Sequence, residues 1–237
     1  MGRWQNIAGD KGKTDQARAM VFTKIGREIV AAIKIGGGNN PDTNSKLREV
    51  IAKAKANNVP NDNINRAIKK AEEDKSATYE EVVYEGYGPG GVAVIVEAAT
   101  NNKNRTVSDV RYCLDRAGGS LGNPGSVAFL FQRNGVITVE KTDKFDEDEF
   151  TMLALDNGAE DVVVNEEDAQ VLTSVHDFHA CSVALEEAGY KLISAEIKYI
   201  PTTDCQLTSE EQKAQFDKMV EMLEAKDDVI NVWSNAV

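Results

Sequence analysis

Five consecutive apolar residues, Val92 to Val96, constrain the fold of this chain more than any other stretch. Three of them are valine and one isoleucine, a β-branched composition that suits a strand covered on both faces, and the run is too short for a buried helix. The preceding EGYGPGG, from Glu85 to Gly91, is too rich in glycine and proline for regular structure and reads as a tight turn. A polar loop follows, Asn101 to Arg105. A helix is expected over Thr106–Ala117, with Val107, Val110, Cys113 and Leu114 at helical spacing and Gly118-Gly119 as its stop. Strand, loop and helix make half of a β-α-β unit, whose return strand is expected at Val127–Phe131. Such a helix runs antiparallel to its strand. Gly86–Gly91 and Gly118–Gly125 therefore lie at one end of the unit and Asn101–Arg105 at the other. Two glycine-rich loops side by side fit either close approach of a partner's backbone or simple tight connections.

Upstream, three amphipathic helices are expected. Phe22, Ile25, Ile29 and Ile33 form the first stripe, with Thr14 or Asp15 as its cap. Leu47, Val50, Ile51 and Ala54 form the second, and Ile64, Ala67, Ile68 and Ala71 the third. None is long enough to stand alone, so they pack as a bundle. Residues 72–80 lack apolar periodicity and read as a linker. From Gly135 onward the pattern gives strand, helix, strand, strand, helix, strand. These fall at Val136–Val139, Phe145–Leu155, Asp161–Val164, Ala169–Val175, Phe178–Ala188 and Leu192–Ile200, the split β-α-β order of ferredoxin-like domains. After Pro201 there remain one helix, Ser209–Leu223, and one strand, Val229–Trp233, too few to make a domain. The expected architecture is therefore α+β with three domains. Residues 1–75 form a basic three-helix bundle, 79–133 plus 203–237 a middle α/β domain, and 134–202 an inserted ferredoxin-like domain.

Charge divides the chain in the same way. Its net charge is −12, but residues 1–75 hold 15 Lys and Arg against 9 Asp and Glu, net +6, and residues 76–237 hold 12 against 30, net −18. Between residues 16 and 71 the acids are only Glu28, Asp42, Glu49 and Asp62, so helical i,i+4 neutralisation is largely missing. Unbalanced cations on helices suit a phosphate backbone. The candidate nucleic-acid contacts are Lys11, Lys13, Arg18, Lys24, Arg27, Lys34, Lys46, Lys53, Lys55, Arg66, Lys69 and Lys70. Within Asn61–Lys70 only Asn63, Asn65 and Arg66 are suited to reading base edges. Lys103 and Arg105 join the set because their loop precedes a helix N-terminus, whose free N–H groups favour anions. Helix capping by the loop's asparagines is the alternative there.

Other chemistry is excluded residue by residue. Three widely spaced cysteines, Cys113, Cys181 and Cys205, fit neither a disulfide framework nor a zinc site. His176, His179 and Cys181 lack a fourth ligand at metal-site spacing, so capping by Asp177 and packing account for them better. GYGPGG precedes a strand where a dinucleotide fingerprint requires a helix. The acidic run Asp146–Glu149 suits a helix first turn. No enzyme, metal or cofactor is expected. Without a signal peptide or an apolar run of membrane-spanning length, a cytoplasmic protein with no membrane partner is expected, and a monomer is favoured.

Several long strings give the chain a resemblance. These are W-x-N-I from Trp4, F-T-K-x-x-R-E-I from Phe22, and A-A-x-x-x-G-G from Ala31. Further on come N-V-P-x-D-N-I-x-R-A-I-K from Asn58, Y-E-G-Y-G-P-G-G-V-A from Tyr84, N-x-N-R-T-V from Asn102 and the G-G-S-L-G-x-x-G-S-V-A-F-L-F region from Gly118. Together they cover most of residues 4–137 and resemble the YebC/PmpR family of bacterial proteins, which includes a related mitochondrial translational activator. Family members usually begin with a longer basic arm. The start Gly2-Arg3-Trp4 and the segment Ala8-Gly9-Asp10 are closer to its shorter, YeeN-like branch. The resemblance implies a helical bundle plus two α/β domains, with DNA binding and transcriptional regulation as the customary role. A translation factor bound to ribosomal RNA or the ribosome is the alternative. A protein-interaction module with a basic docking face is a second. Preference for a promoter, salt-sensitive co-sedimentation with ribosomes, or neither, separates the three.

Overall fold

A computed structural model describes residues 15–73, 79–142 and 144–237. Its first 59 described residues, 15–73, form helices α1 (Asp15–Gly36), α2 (Ser45–Ala56) and α3 (Asn61–Glu73). Ile25, Ile29 and Ile33 of α1 interlock with Leu47, Ala54, Val59, Ile64 and Ala71 in a core supplied wholly by this region. The joints are specific. Asn44 caps α2 by accepting from the Leu47 N–H, while its amide donates to the carbonyls of Ala32 and Gly38 at the end of α1. Asn58 takes a left-handed conformation (φ 55°), and the Val59 N–H reaches back to the Ala54 carbonyl at 2.9 Å. That closes α2 in a Schellman turn and aims α3 back across the bundle. α3 runs to Glu73 and the next strand starts at Glu80, with residues 74–78 of the expected linker outside the described residues.

The first sheet contains β1 (Glu80–Tyr87), β2 (Ala93–Thr100), β3 (Ser120–Leu121) and β8 (Val229–Ser234), in the order β3-β1-β2-β8. β2 is buried on both faces, as its composition predicts. Val92, Val94 and Val96 face helices α4 (Lys103–Arg116) and α7 (Glu210–Glu224), against Val110, Leu114, Phe216, Met219 and Leu223. Ala93 and Ile95 face the other way, onto Val127, Phe131 and Trp233. C-terminal α7 and β8 belong to this sheet, β8 pairing with β2.

The return strand differs from expectation. Residues 128–130 form a 3-10 turn, and Phe131 opens a strand of the second sheet. The return from α4 is made by the two-residue β3, which pairs with Gly86 and Tyr87 of β1. The physical cause is a single carboxylate. Glu85 accepts from the N–H groups of Gly125, Val127 and Ala128, at 2.6, 2.8 and 2.7 Å, so those donors have no place in a ladder.

The second sheet holds β4 (Phe131–Glu140), β5 (Ala159–Val164), β6 (Asp168–Ser174) and β7 (Leu192–Pro201), all antiparallel in the order β5-β6-β4-β7. Helices α5 (Glu147–Asp156) and α6 (Phe178–Glu187) cover it through Phe150, Ala154, Cys181 and Leu185 packed on Ile137, Val139 and Val171. Strand order and connections match the split β-α-β arrangement. The Asp146–Glu149 run opens α5, with Asp146 accepting from the Asp148 and Glu149 N–H groups.

Candidate nucleic-acid interface

The predicted cations separate into two sets. One faces the rest of the protein. Arg27 lies 2.8 Å from Asp227 and 3.5 Å from Asp228, in the turn before β8. Lys46 pairs with Glu81 of β1. Lys53 lies 3.2 Å from both carboxylate oxygens of Glu28 within the bundle. Burial pulls the Lys53 ammonium down, but the carboxylates of Glu28, Glu196 and Glu97 outweigh it and hold the pKa above its ordinary value. Burial also lowers Lys24, opposed by Glu224 and Glu28. Lys34 is engaged as well. Arg27 and Lys46, unbalanced along their own helices, are therefore paired by segments far away in the chain, and Lys53 by Glu28 of the neighbouring helix.

The other set faces water. Lys55 in the last turn of α2, and Arg66, Lys69 and Lys70 on α3, are exposed. Lys69 has only the i,i+4 contact to Glu73, at 3.8 Å, and Lys55, Arg66 and Lys70 make no ion pair among the described residues. Residues 66, 69 and 70 share one flank of α3, and the turn at Asn57–Pro60 brings the end of α2 to its start. Exposed Asn61 and Asn65 stand in the first two turns of the same helix, and Asn63 is half-buried. Lys11 and Lys13 lie outside the described residues, as does the side chain of Arg18 on α1.

Lys103 and Arg105 are spoken for. Lys103 pairs with Glu80. Arg105 donates through Nε and Nη2 to Asp228, at 3.1 and 2.7 Å. Asp228, 8% exposed, also accepts from the hydroxyls of Thr106 and Thr100, at 2.8 and 3.2 Å. Burial pushes its carboxyl up, but these donors and the Arg105 charge win and hold it below the usual carboxylate range. The N-terminus of α4 thus carries the protein's own anion. Asn102 caps the helix by accepting from the Arg105 N–H at 3.1 Å, so capping describes the loop.

The glycine-rich loops meet each other. A Cβ on Gly119 would sit 2.1 Å from the Tyr87 carbonyl oxygen, and one on Gly86 would sit 2.6 Å from that of Ser120. Their glycines permit an internal contact between β1 and the segment after α4. His176 contacts Asp177, His179 contacts Arg48, and Cys181 is buried under α5. Asp177 stands at the start of α6, yet its carboxylate meets Ser174 and His176 instead of the helix N–H groups expected of a cap. Asp228, Asp227, Glu81 and Glu85, which organise this region, have no local sequence signal, because their partners lie 35 to 201 residues away.

A basic three-helix unit joined to two antiparallel α/β sheets defines a class of protein, and comparison places the chain within it. Residues 2–74 match the TACO1/YebC N-terminal domain, and residues 79–236 match the TACO1/YebC second and third domains. The chain belongs to the TACO1/YebC family. It is 50% identical to a "Probable transcriptional regulatory protein" of Acetivibrio thermocellus, over 98% of this chain and 96% of that protein. A similarly named protein of Clostridium beijerinckii is 51% identical, over 99% and 95%. The crystal structure of a conserved hypothetical protein from Aquifex aeolicus superposes with a TM-score of 0.84 at 40% identity, covering 100% of this chain and 97% of that one.

Proposed function

We propose that this chain is a nucleic-acid-binding regulatory protein that acts on transcription by binding DNA, as the names of its relatives suggest. The observation that carries the reading is the exposed ridge of Lys55, Arg66, Lys69 and Lys70 on a molecule of net charge −12. Four cations left to solvent, beside exposed amides on α3, suit phosphate contact together with limited readout of base edges. The reading needs no catalytic step, metal or cofactor. The protein acts as a monomer in the cytoplasm, and among the described residues no helix is long and apolar enough to cross a membrane.

Charge reversal tests it. With Lys55, Arg66, Lys69 and Lys70 all changed to Glu, affinity for a duplex falls at least tenfold. The slope of log affinity against log salt also becomes shallower by about 3.6, at about 0.9 per phosphate contact. The unfolding midpoint stays nearly fixed, because exposed charges contribute little to stability. Unchanged affinity and slope would remove the ridge from the interface. Tighter binding to structured ribosomal RNA than to duplex DNA of equal length would move the role to translation.

A further inference from the structure

Resting on that reading, we propose that the acidic body autoinhibits the basic bundle: Asp227, Asp228 and Glu81 occupy cations that a nucleic acid would otherwise contact. Docked, the protein offers only the outer ridge. Undocked, it also offers Arg27 and Lys46.

The interface is built so that its two sides can part. The bundle core is supplied by residues of the bundle itself, from Val21 to Ala71, and includes none from the body. Contacts across the boundary include polar pairs of kinds that are individually weak: Arg27 with Asp227 and Asp228, Lys46 with Glu81, and Arg48 with His179 at 2.9 Å. Between the two sides lies a cleft of about 140 Å³, lined by Glu28 and Lys53 on one wall and Glu97 and Glu196 on another.

Separation leaves no buried charge without a partner. Asp228 loses Arg27 but keeps Arg105, Thr106 and Thr100. Lys53 keeps Glu28, which travels with it. Glu97 keeps the Asn231 and Trp233 donors on its own sheet. Asp227 has a side chain already 76% exposed. Orphaned buried charges are what normally make such interfaces costly to open, and here each one is satisfied on its own side. The carboxylates of the body therefore occupy the inner cations as phosphates would, and a polyanion competes for the same groups.

The test locks the bundle in place without removing those cations. Arg48→Cys and His179→Cys, in a Cys205→Ser background, are joined by a short bismaleimide. The control is the same protein with both cysteines capped by N-ethylmaleimide, and Cys113 and Cys181 are shielded by burial. Relative to the capped protein, the locked one binds duplex DNA at least tenfold more weakly. Its salt slope is shallower by about 1.8, for two withheld contacts at about 0.9 each. Removing the clamp instead, with Glu81→Gln and Asp227→Asn in the otherwise unaltered chain, strengthens binding at least threefold. Equal affinity of locked and capped protein, with binding itself intact, overturns the autoinhibition alone. Absence of nucleic-acid binding by the unaltered chain overturns this inference and the proposed function together.

Discussion

Glu85→Gln isolates what one buried carboxylate contributes to the junction between the two sheets. Glu85 is 9% exposed, with Oε1 on the Gly125 N–H and Oε2 on those of Val127 and Ala128. A hydrogen bond to a charged group contributes about 1.5–3 kcal/mol net. The three share one acceptor and do not add independently. Glutamine keeps one oxygen for the Val127–Ala128 pair but turns an NH2 toward the Gly125 N–H, donor against donor, and loses the charge on the rest. The expected loss is about 2 kcal/mol, rising to about 3 for Glu85→Ala, where the buried Val127 N–H is orphaned while the other two reach water. Acidity supplies an internal check. Burial pushes the Glu85 carboxyl up, but the three N–H groups bring it below its ordinary value. A depressed folded pKa stabilises above the unfolded value of about 4.3 and ceases to do so as pH falls through the folded one. The gap between parent and Gln variant should be level from neutral pH down to about 5 and then close in acid. Urea unfolding in a Trp4→Phe background reads it through Trp233, which packs beside Val127 and Phe131. A gap below about 0.5 kcal/mol at pH 7, or one that widens in acid, would refute the reasoning.

Two further predictions concern glycines and domain boundaries. Gly119→Ala places a methyl 2.1 Å from the Tyr87 carbonyl oxygen and should cost about 3 kcal/mol or block soluble folding, while Gly26→Ala in α1, with nothing within 4 Å, should gain about 0.5–1 kcal/mol; thermal melts compare them, and equal effects would refute the close-approach account. Arg133 and Tyr199 are directly paired across β4 and β7, so replacing residues 134–198 with Gly-Gly joins adjacent strand positions. That chain should remain soluble and unfold cooperatively around the first sheet, and a molten product would refute the proposed inserted unit.

Legibility in the sequence followed range. The Ile25–Ile29–Ile33 stripe, the valine-rich β2 and the alternation through Ala169–Val175 are local patterns, and each became the element its spacing implies. Val127–Phe131 failed for a reason outside its own sequence. The apolar run looks like a strand, but a carboxylate 42 residues upstream takes the Val127 N–H. The cations failed in the same way. Counting acids at i+4 finds few partners for Arg27, because its partners stand at Asp227 and Asp228, beyond two intervening sheets of chain. What spacing could not reveal was which cations the fold leaves over.

The distribution of those leftover cations follows from distance as much as from sign. At physiological ionic strength the screening length is about 8 Å. An ion pair such as Arg27–Asp227, at 2.8 Å, lies well inside it and survives. Repulsion between phosphates and the most distant carboxylates of the body does not. The net −18 of residues 76–237 therefore matters less as a long-range field than as a local supply of carboxylates against the bundle. The few acids within reach, Glu81, Asp227 and Asp228, decide that Arg27 and Lys46 are paired. The ridge at Lys55, Arg66, Lys69 and Lys70 remains available because, apart from Glu73 at the end of α3, no acid pairs with it among the described residues. The pairing of each cation, and not whole-chain charge, thus tells where this protein leaves positive charge exposed.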